Sequence, residues 1–163
     1  MAKKDANTKT NAMRQLDTAG IEYSLHEYEV DESDLSGEHA CAELGISEDE
    51  MFKTLVTRSD NNLLSVFVIP VAGNLDLKKA AVASGHKKVE MIHVKELVDL
   101  TGYMRGGCSP VGMKKLYPTF IDETAVLFEK IYVSGGKRGV SICIDPEILA
   151  QFVNGEFVDL TKQ

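Results

Sequence analysis

The sequence predicts a mixed α+β domain, and three observations lead there. Segments 52–69 and 131–144 read as β-hairpins, and capped amphipathic helices stand between and around them. No regular strand–helix–strand repeat orders the two. At 163 residues the chain is the size of about one domain. A single domain across 1–163 is therefore expected, ordered from about 10 to 160.

Each element has its own justification. Residues 9–19 set Ala12, Leu16 and Ala19 on one side at helical spacing, and Gly20 is a natural stop. Residues 22–28 read as a strand. A second helix follows Ser36, with Ala40 and Leu44 turned inward and Gly45 closing it. Ser47 and Glu50 have capping-box spacing for a single turn. Met51-Phe52-Lys53-Thr54-Leu55-Val56 is then a strand, Ser59-Asp60-Asn61-Asn62 a turn, and 63–69 a strongly apolar strand. Asp76 caps a helix that runs through Ser84 and ends at Gly85. A short strand covers 89–92, and a helix covers 93–100 before Gly102. Glycine and proline crowd 102–112 into a long irregular loop. Strands 131–134 and 140–144 flank Gly135-Gly136-Lys137-Arg138-Gly139 as a tight hairpin. Pro146 opens a last helix that ends near Gly155.

Composition narrows the classes of function. At 44% hydrophobic and 26% charged, the chain can build an ordinary core. No apolar run approaches the roughly 18 residues a membrane span needs, and the first ten residues lack a signal peptide's apolar stretch. Cys41, Cys108 and Cys143 are odd in number and widely spaced, which argues for a reducing compartment, the cytoplasm. A net charge of −7 argues against a general nucleic-acid coat. The cations still fall in small groups, Lys78-Lys79, Lys87-Lys88, Lys114-Lys115 and Lys137-Arg138, which could hold a nucleotide end if they converged.

Lys53 is the residue that asks for an explanation. Strand alternation places it with Met51 and Leu55, while Phe52, Thr54 and Val56 take the other face. Both faces are largely apolar, and lysine is almost never buried unless paired or used. Spacing alone leaves two readings: a stem that snorkels to the rim, or a cation at the wall of a pocket.

Two glycine-rich loops are the other candidates. Gly106-Gly107-Cys108-Ser109-Pro110-Val111-Gly112 offers exposed backbone N–H groups to a ligand that approaches closely. Ser134-Gly135-Gly136-Lys137-Arg138-Gly139 offers a hydroxyl, amides and two cations, although on its own such a loop is more often a plain hairpin turn. Neither has the spacing of a P-loop or a dinucleotide fingerprint. Histidines 26, 39, 86 and 93 show no metal-ligand spacing, so no metal or other cofactor is expected. Cys108 has no identifiable base and reads as a small packing residue, as does Cys41.

Four motifs in order carry a family resemblance: Phe52-Lys53-Thr54-Leu55; Leu75-Asp76-Leu77-Lys78-Lys79-Ala80-Ala81; Thr101-Gly102-Tyr103 through Gly112; and Ile131 through Gly139. Together they resemble the YbaK-type Cys-tRNA(Pro) deacylases, relatives of the editing domain inserted in bacterial prolyl-tRNA synthetases. The likeness runs from about residue 10 to 160. It implies one α+β domain around a curved, barrel-like mixed sheet with surrounding helices. The family's essential lysine falls on Lys53, with Thr54 beside it. Its Gly-x-x-x-Pro loop, whose amides are thought to hold the aminoacyl carbonyl, falls on Gly106, Gly107 and Pro110. Its Ser-Gly-Gly-Lys hairpin falls on Ser134, Gly135, Gly136 and Lys137, and a tyrosine closing the first strand on Tyr28. The match departs just before Gly37, where relatives carry an aromatic residue and this chain has Leu35-Ser36. Cys108 stands where an aliphatic residue would be expected.

The activity implied is hydrolysis of a mischarged aminoacyl ester at a tRNA 3′ end. An ordinary lysine is protonated at neutral pH, so Lys53 suits electrostatic stabilisation better than general-base work. In the family the substrate's cysteine thiol is thought to attack its own ester and release a thiolactone. An acidic chain should not hold a whole tRNA tightly, so a ternary complex with prolyl-tRNA synthetase is expected, the protein itself being a monomer. The alternatives are a non-catalytic module that binds aminoacyl-tRNA ends or the synthetase, and a lysine Schiff-base enzyme.

Overall fold

In a computed structural model that describes residues 9–162, the fold is organised by one strand pair. Strands β2 (Phe52–Ser59) and β3 (Leu64–Pro70) form the expected antiparallel hairpin, with Lys53 opposite Ile69, and Asn62 takes the left-handed turn position at φ 63°. β3 is buried on both faces: Val66 and Val68 enter the main core, while Phe67 and Ile69 enter a second one. That double burial explains its uninterrupted apolar run.

The caps act where the sequence places them. Thr10 caps α1 (Asn11–Thr18) by accepting from the Met13 amide at 3.2 Å. Ser36 caps α2 (Gly37–Leu44), and Gly45 closes it at φ 69°. Asp76 caps α3 (Leu77–Ser84) by accepting from Lys78 and Lys79, and Gly85 closes it at φ 76°. On α1 the buried side is Ala12, Met13 and Leu16; Ala19 lies past the last turn and is exposed. At Ser47 the side chain accepts from Asp49 rather than Glu50, so the expected capping box is a bare turn. The helix expected over 93–100 is divided: a 3₁₀ turn, Val94–Glu96, runs into the short α4, Leu97–Thr101.

Two sheets result. β1 (Ser24–Glu27), β7 (Val140–Ile144) and β6 (Ile131–Ser134) form an antiparallel sheet in the order β1-β7-β6. The larger sheet has the order β4-β2-β3-β5-β8, with β4 Val89–Met91, β5 Thr119–Asp122 and β8 Glu156–Val158. β4, β2 and β3 pair antiparallel, whereas β3-β5 and β5-β8 are parallel. Neither β5 nor β8 follows from local pattern; both are short, and a parallel pairing leaves no turn signal.

The expected barrel-like closure does not occur. Among the described residues the two sheets are joined through one isolated bridge, Met51 with Tyr132, where the Tyr132 amide also donates to the Glu50 carbonyl at 2.9 Å. A barrel needs continuous pairing all round; here the small sheet packs over the large one as a separate layer. The main core fills the space between the layers, where Phe52, Val56, Ile121, Ile131 and Ile142 join Leu16 of α1 and Leu149 of α5 (Pro146–Val153) in one cluster. α3 covers the outer face of the large sheet, and α2 packs beside Met51 and Val71.

Tyr103 pins the long loop to this core. It is 5% exposed, its hydroxyl donates to the Val111 carbonyl at 2.6 Å, and burial pushes the phenol up to about 12. Tyr103→Phe leaves that carbonyl unpaired and should cost about 1–3 kcal/mol, read as a lower denaturation midpoint with an unchanged m-value.

Candidate active site

The glycine loops build the site by packing against each other. A side chain at Gly107 would place its Cβ 2.8 Å from the Lys137 carbonyl carbon and 2.9 Å from the Arg138 nitrogen. Backbone therefore lies directly on backbone, which only glycine permits. Gly136, at φ 101°, packs instead against the side chains of Thr10 and Tyr103. The Thr10 hydroxyl donates to the Gly135 carbonyl at 2.5 Å, and Arg138 Nε donates to the Arg105 carbonyl at 2.9 Å. Arg138 Nη1 also pairs with Glu32 at 2.9 Å, tying the loop before α2 to the same block.

Beside this block opens a cavity of about 480 Å³, within the range of small-ligand sites. Its walls are Met51 with the start of β2 to Val56, the stretch 33–38 that runs into the first turn of α2, the 91–97 segment, and parts of both glycine loops. Of the residues singled out in the sequence, Lys53, Thr54, Tyr28, Gly106 and Ser134 line it. Gly107, Gly135, Gly136 and Lys137 lie behind the wall or beside it and are not among the lining residues. Pro110 lines a different groove of about 330 Å³, with Tyr117 and Phe152. The two loops thus divide into residues that face the cavity and residues that hold those in place.

Sequence reasoning missed part of the lining. Cys108 packs against the main core as expected but also lines the cavity, as do Arg105, Ser141, Asp34 and Glu38. Arg105 carried a signal, since it directly precedes the glycine pair. The apolar wall from Met91, Ile92, Val94 and Leu97 carried none, because it belongs to the site only through the β2–β4 pairing.

The electrostatics limit the chemistry available. Burial pushes the Cys108 thiol up to about 12, with a Thr101 hydrogen bond opposing, so it stays protonated at neutral pH and is a poor nucleophile. Burial likewise raises the Tyr28 phenol. The Thr54 hydroxyl is buried in the wall with no hydrogen-bond partner among the described residues, a group that costs stability until something pairs with it. Among the described residues no group of three His, Cys, Asp or Glu could hold a metal ion. No helix among them is long and apolar enough to cross a membrane.

A two-layer α+β fold with one lysine, hydroxyls and glycine-loop backbone around a single main cavity defines a class of site. Such a site can offer a cation, hydroxyls and backbone donors to a small polar group, with the Asp34 and Glu38 carboxylates and the protonated thiol of Cys108 also in its lining. The chain belongs to the aminoacyl-tRNA editing domain family, whose model matches residues 33–152. It is 48% identical to an Enterococcus faecalis protein, EbsC, provisionally named a Cys-tRNA(Pro)/Cys-tRNA(Cys) deacylase, over all of this chain and 99% of that one. The fold is shared with a solved structure provisionally assigned as a trans-editing enzyme for prolyl tRNA synthetase, at TM-score 0.82 and 23% identity over 96% of this chain and 100% of that one. It is shared also with the structure described as hypothetical protein APE2540, at TM-score 0.85 and 24% identity over 93% and 99%.

Two outcomes test the construction of the site. Gly107→Ala should push the loops apart and cost about 1–3 kcal/mol, measured by chemical denaturation. The second concerns the 91–97 wall. Arg58 donates to both Glu96 oxygens at 2.8 and 3.3 Å, and the His93 amide donates to Glu96 at 3.0 Å. The Arg58 hydrogen bonds, with the His93 amide, lower the Glu96 carboxyl to about 2. A depressed carboxyl adds stability above its unfolded pKa and loses it as pH falls through the folded one. Glu96→Gln should therefore lower Tm at pH 7, and its gap from wild type should close between about pH 4.5 and pH 2.

Proposed function

We propose that this protein removes cysteine from mischarged tRNA(Pro) by hydrolysing the aminoacyl ester at the tRNA 3′ end. The observation that carries the reading is that Lys53 and the backbone at Gly106 line one cavity, in which the thiol of Cys108 is held protonated. Family membership and the name of the enterococcal relative support the ester and the amino acid.

The ester carbonyl sits against the 106–110 backbone, where amide donors stabilise charge that develops on its oxygen. Lys53 adds a positive charge near the same oxygen or the terminal nucleotide. The attacking group is the substrate's own thiol. Its sulfur bonds to the carbonyl carbon, the carbon–oxygen bond to the ribose breaks, and the thiol proton passes to the departing hydroxyl. The product is a thiolactone that water opens to cysteine, which makes the first step lyase-like. Intramolecular attack removes much of the entropic barrier, so the protein need only orient the acyl group. Thr54, Tyr28 and Ser134 bound that group, and Gly107, Pro110, Gly135, Gly136 and Lys137 hold the loops that present it.

We place the protein in the cytoplasm, in line with three free cysteines. There it acts as a monomer, and prolyl-tRNA synthetase supplies tRNA selectivity in a ternary complex.

Lys53→Ala should cut deacylation of Cys-tRNA(Pro) by about 10²–10³-fold while circular dichroism stays unchanged. Full turnover by a well-folded variant would remove Lys53 from the mechanism. Ser- and Ala-tRNA(Pro) should be poor substrates for wild type, and fast hydrolysis of the alanyl ester would exclude thiol attack.

A further inference from the structure

Charge is segregated along this chain. Between Arg14 and Lys53 there is no lysine or arginine, yet twelve of the 25 carboxylates lie there. The other 13 face 18 lysines and arginines, so the remainder of an acidic protein is net basic. The segregation reaches the cavity mouth. Asp34 and Glu38 line it from the acidic stretch, while Lys53 and Arg105 are the lysine and arginine side of the lining.

Arg105 differs from its neighbour in one decisive way. Arg138 is committed to Glu32 and to the Arg105 carbonyl. The Arg105 guanidinium makes no hydrogen bond or ion pair among the described residues, and the residue is exposed at the rim. Its backbone is nevertheless fixed, by the Arg138 contact and by Gly107 lying on the 137–138 peptide. An unengaged guanidinium on a fixed base beside a small-ligand cavity suits a bidentate oxyanion such as a phosphodiester. The other exposed parts of the lining include Met91 and Val94, apolar surface against which a base can rest.

We propose that Arg105 binds the phosphodiester of the terminal nucleotide of the aminoacylated RNA, so that the strand enters the cavity over Arg105. This assignment rests on the deacylase reading above. The cavity, larger than an amino-acid side chain needs, then takes the acyl group with part of its nucleoside, and Arg105 takes the phosphate outside.

The test compares two esters of the same amino acid: Cys-tRNA(Pro), and 3′-O-cysteinyl-adenosine without a 5′-phosphate. Arg105→Ala should raise KM for the tRNA about tenfold with kcat little changed, and leave the nucleoside ester unaffected. Arg105→Lys should recover part of the loss. The slope of log kcat/KM against log salt should become shallower by about 0.7, the value for one phosphate contact to a single strand. Lys115→Ala, which removes the same charge away from the cavity, should reproduce neither effect. Equal losses on both esters, a loss confined to kcat, no loss at all, or the same slope change from Lys115→Ala would each overturn the assignment. Wild type that cleaves neither ester would overturn the deacylase reading and this one with it, so the two failures are told apart by the parent protein.

Discussion

The contact on which this structure turns is between two stretches of backbone. Gly107 lies on the peptide that joins Lys137 and Arg138, close enough that a single methyl group would force them apart. Everything that shapes the cavity on that side follows from it. Gly106 and Cys108 face inward because Gly107 between them faces the hairpin. Ser134 reaches the lining because the hairpin beyond it is seated on Thr10 and Tyr103. The long loop is irregular in dihedral angles but not loose, since Tyr103 anchors it in the core and Arg138 clasps its start.

That arrangement separates holding from reacting. The lining supplies positive charge, hydroxyls and backbone from β2 and the glycine loops, and carboxylates only from Asp34 and Glu38 on the stretch that enters α2. A thiol does face the cavity, at Cys108, yet burial keeps its proton on. A site of this kind relies on fixed donors and a substrate that brings its own reactive group. The wall opposite the loops is fixed by charge instead. Arg58 on β2 grips Glu96 with two hydrogen bonds, and through it the 91–97 segment is held against the strand that bears Lys53.

Much of this was legible in the sequence, and the reasons are local. Ser36, Asp76 and the glycines after each helix announce themselves because capping is settled within four residues. The 52–69 hairpin reads plainly because its turn is polar and its second strand is buried on both faces. Lys53 could be flagged as misplaced but not placed, since strand alternation says nothing about what stands opposite. β5 and β8 escaped notice for a different reason. Each is short, and both are strands only because distant parallel neighbours pair with them. The same holds at the site: Asp34, Glu38 and the 91–97 wall join the cavity through tertiary pairings that leave no mark on their own stretch of chain. The glycine motifs located the loops correctly, but a motif cannot say which of its residues face the ligand. The fold divides them residue by residue.

The separation of charge along the chain has a consequence at distances well beyond any contact. Where the acidic stretch meets the net-basic remainder, at the cavity lined by Asp34 and Glu38 and by Lys53 and Arg105, the field is locally dipolar whatever the net charge. Approaching a polyanion, the protein feels a torque as well as a net force, and the torque acts first on orientation. A molecule that is repelled on average can still turn its cationic rim toward the nucleic acid during the approach. Encounters would then be infrequent but well aimed, and misaligned ones would separate quickly.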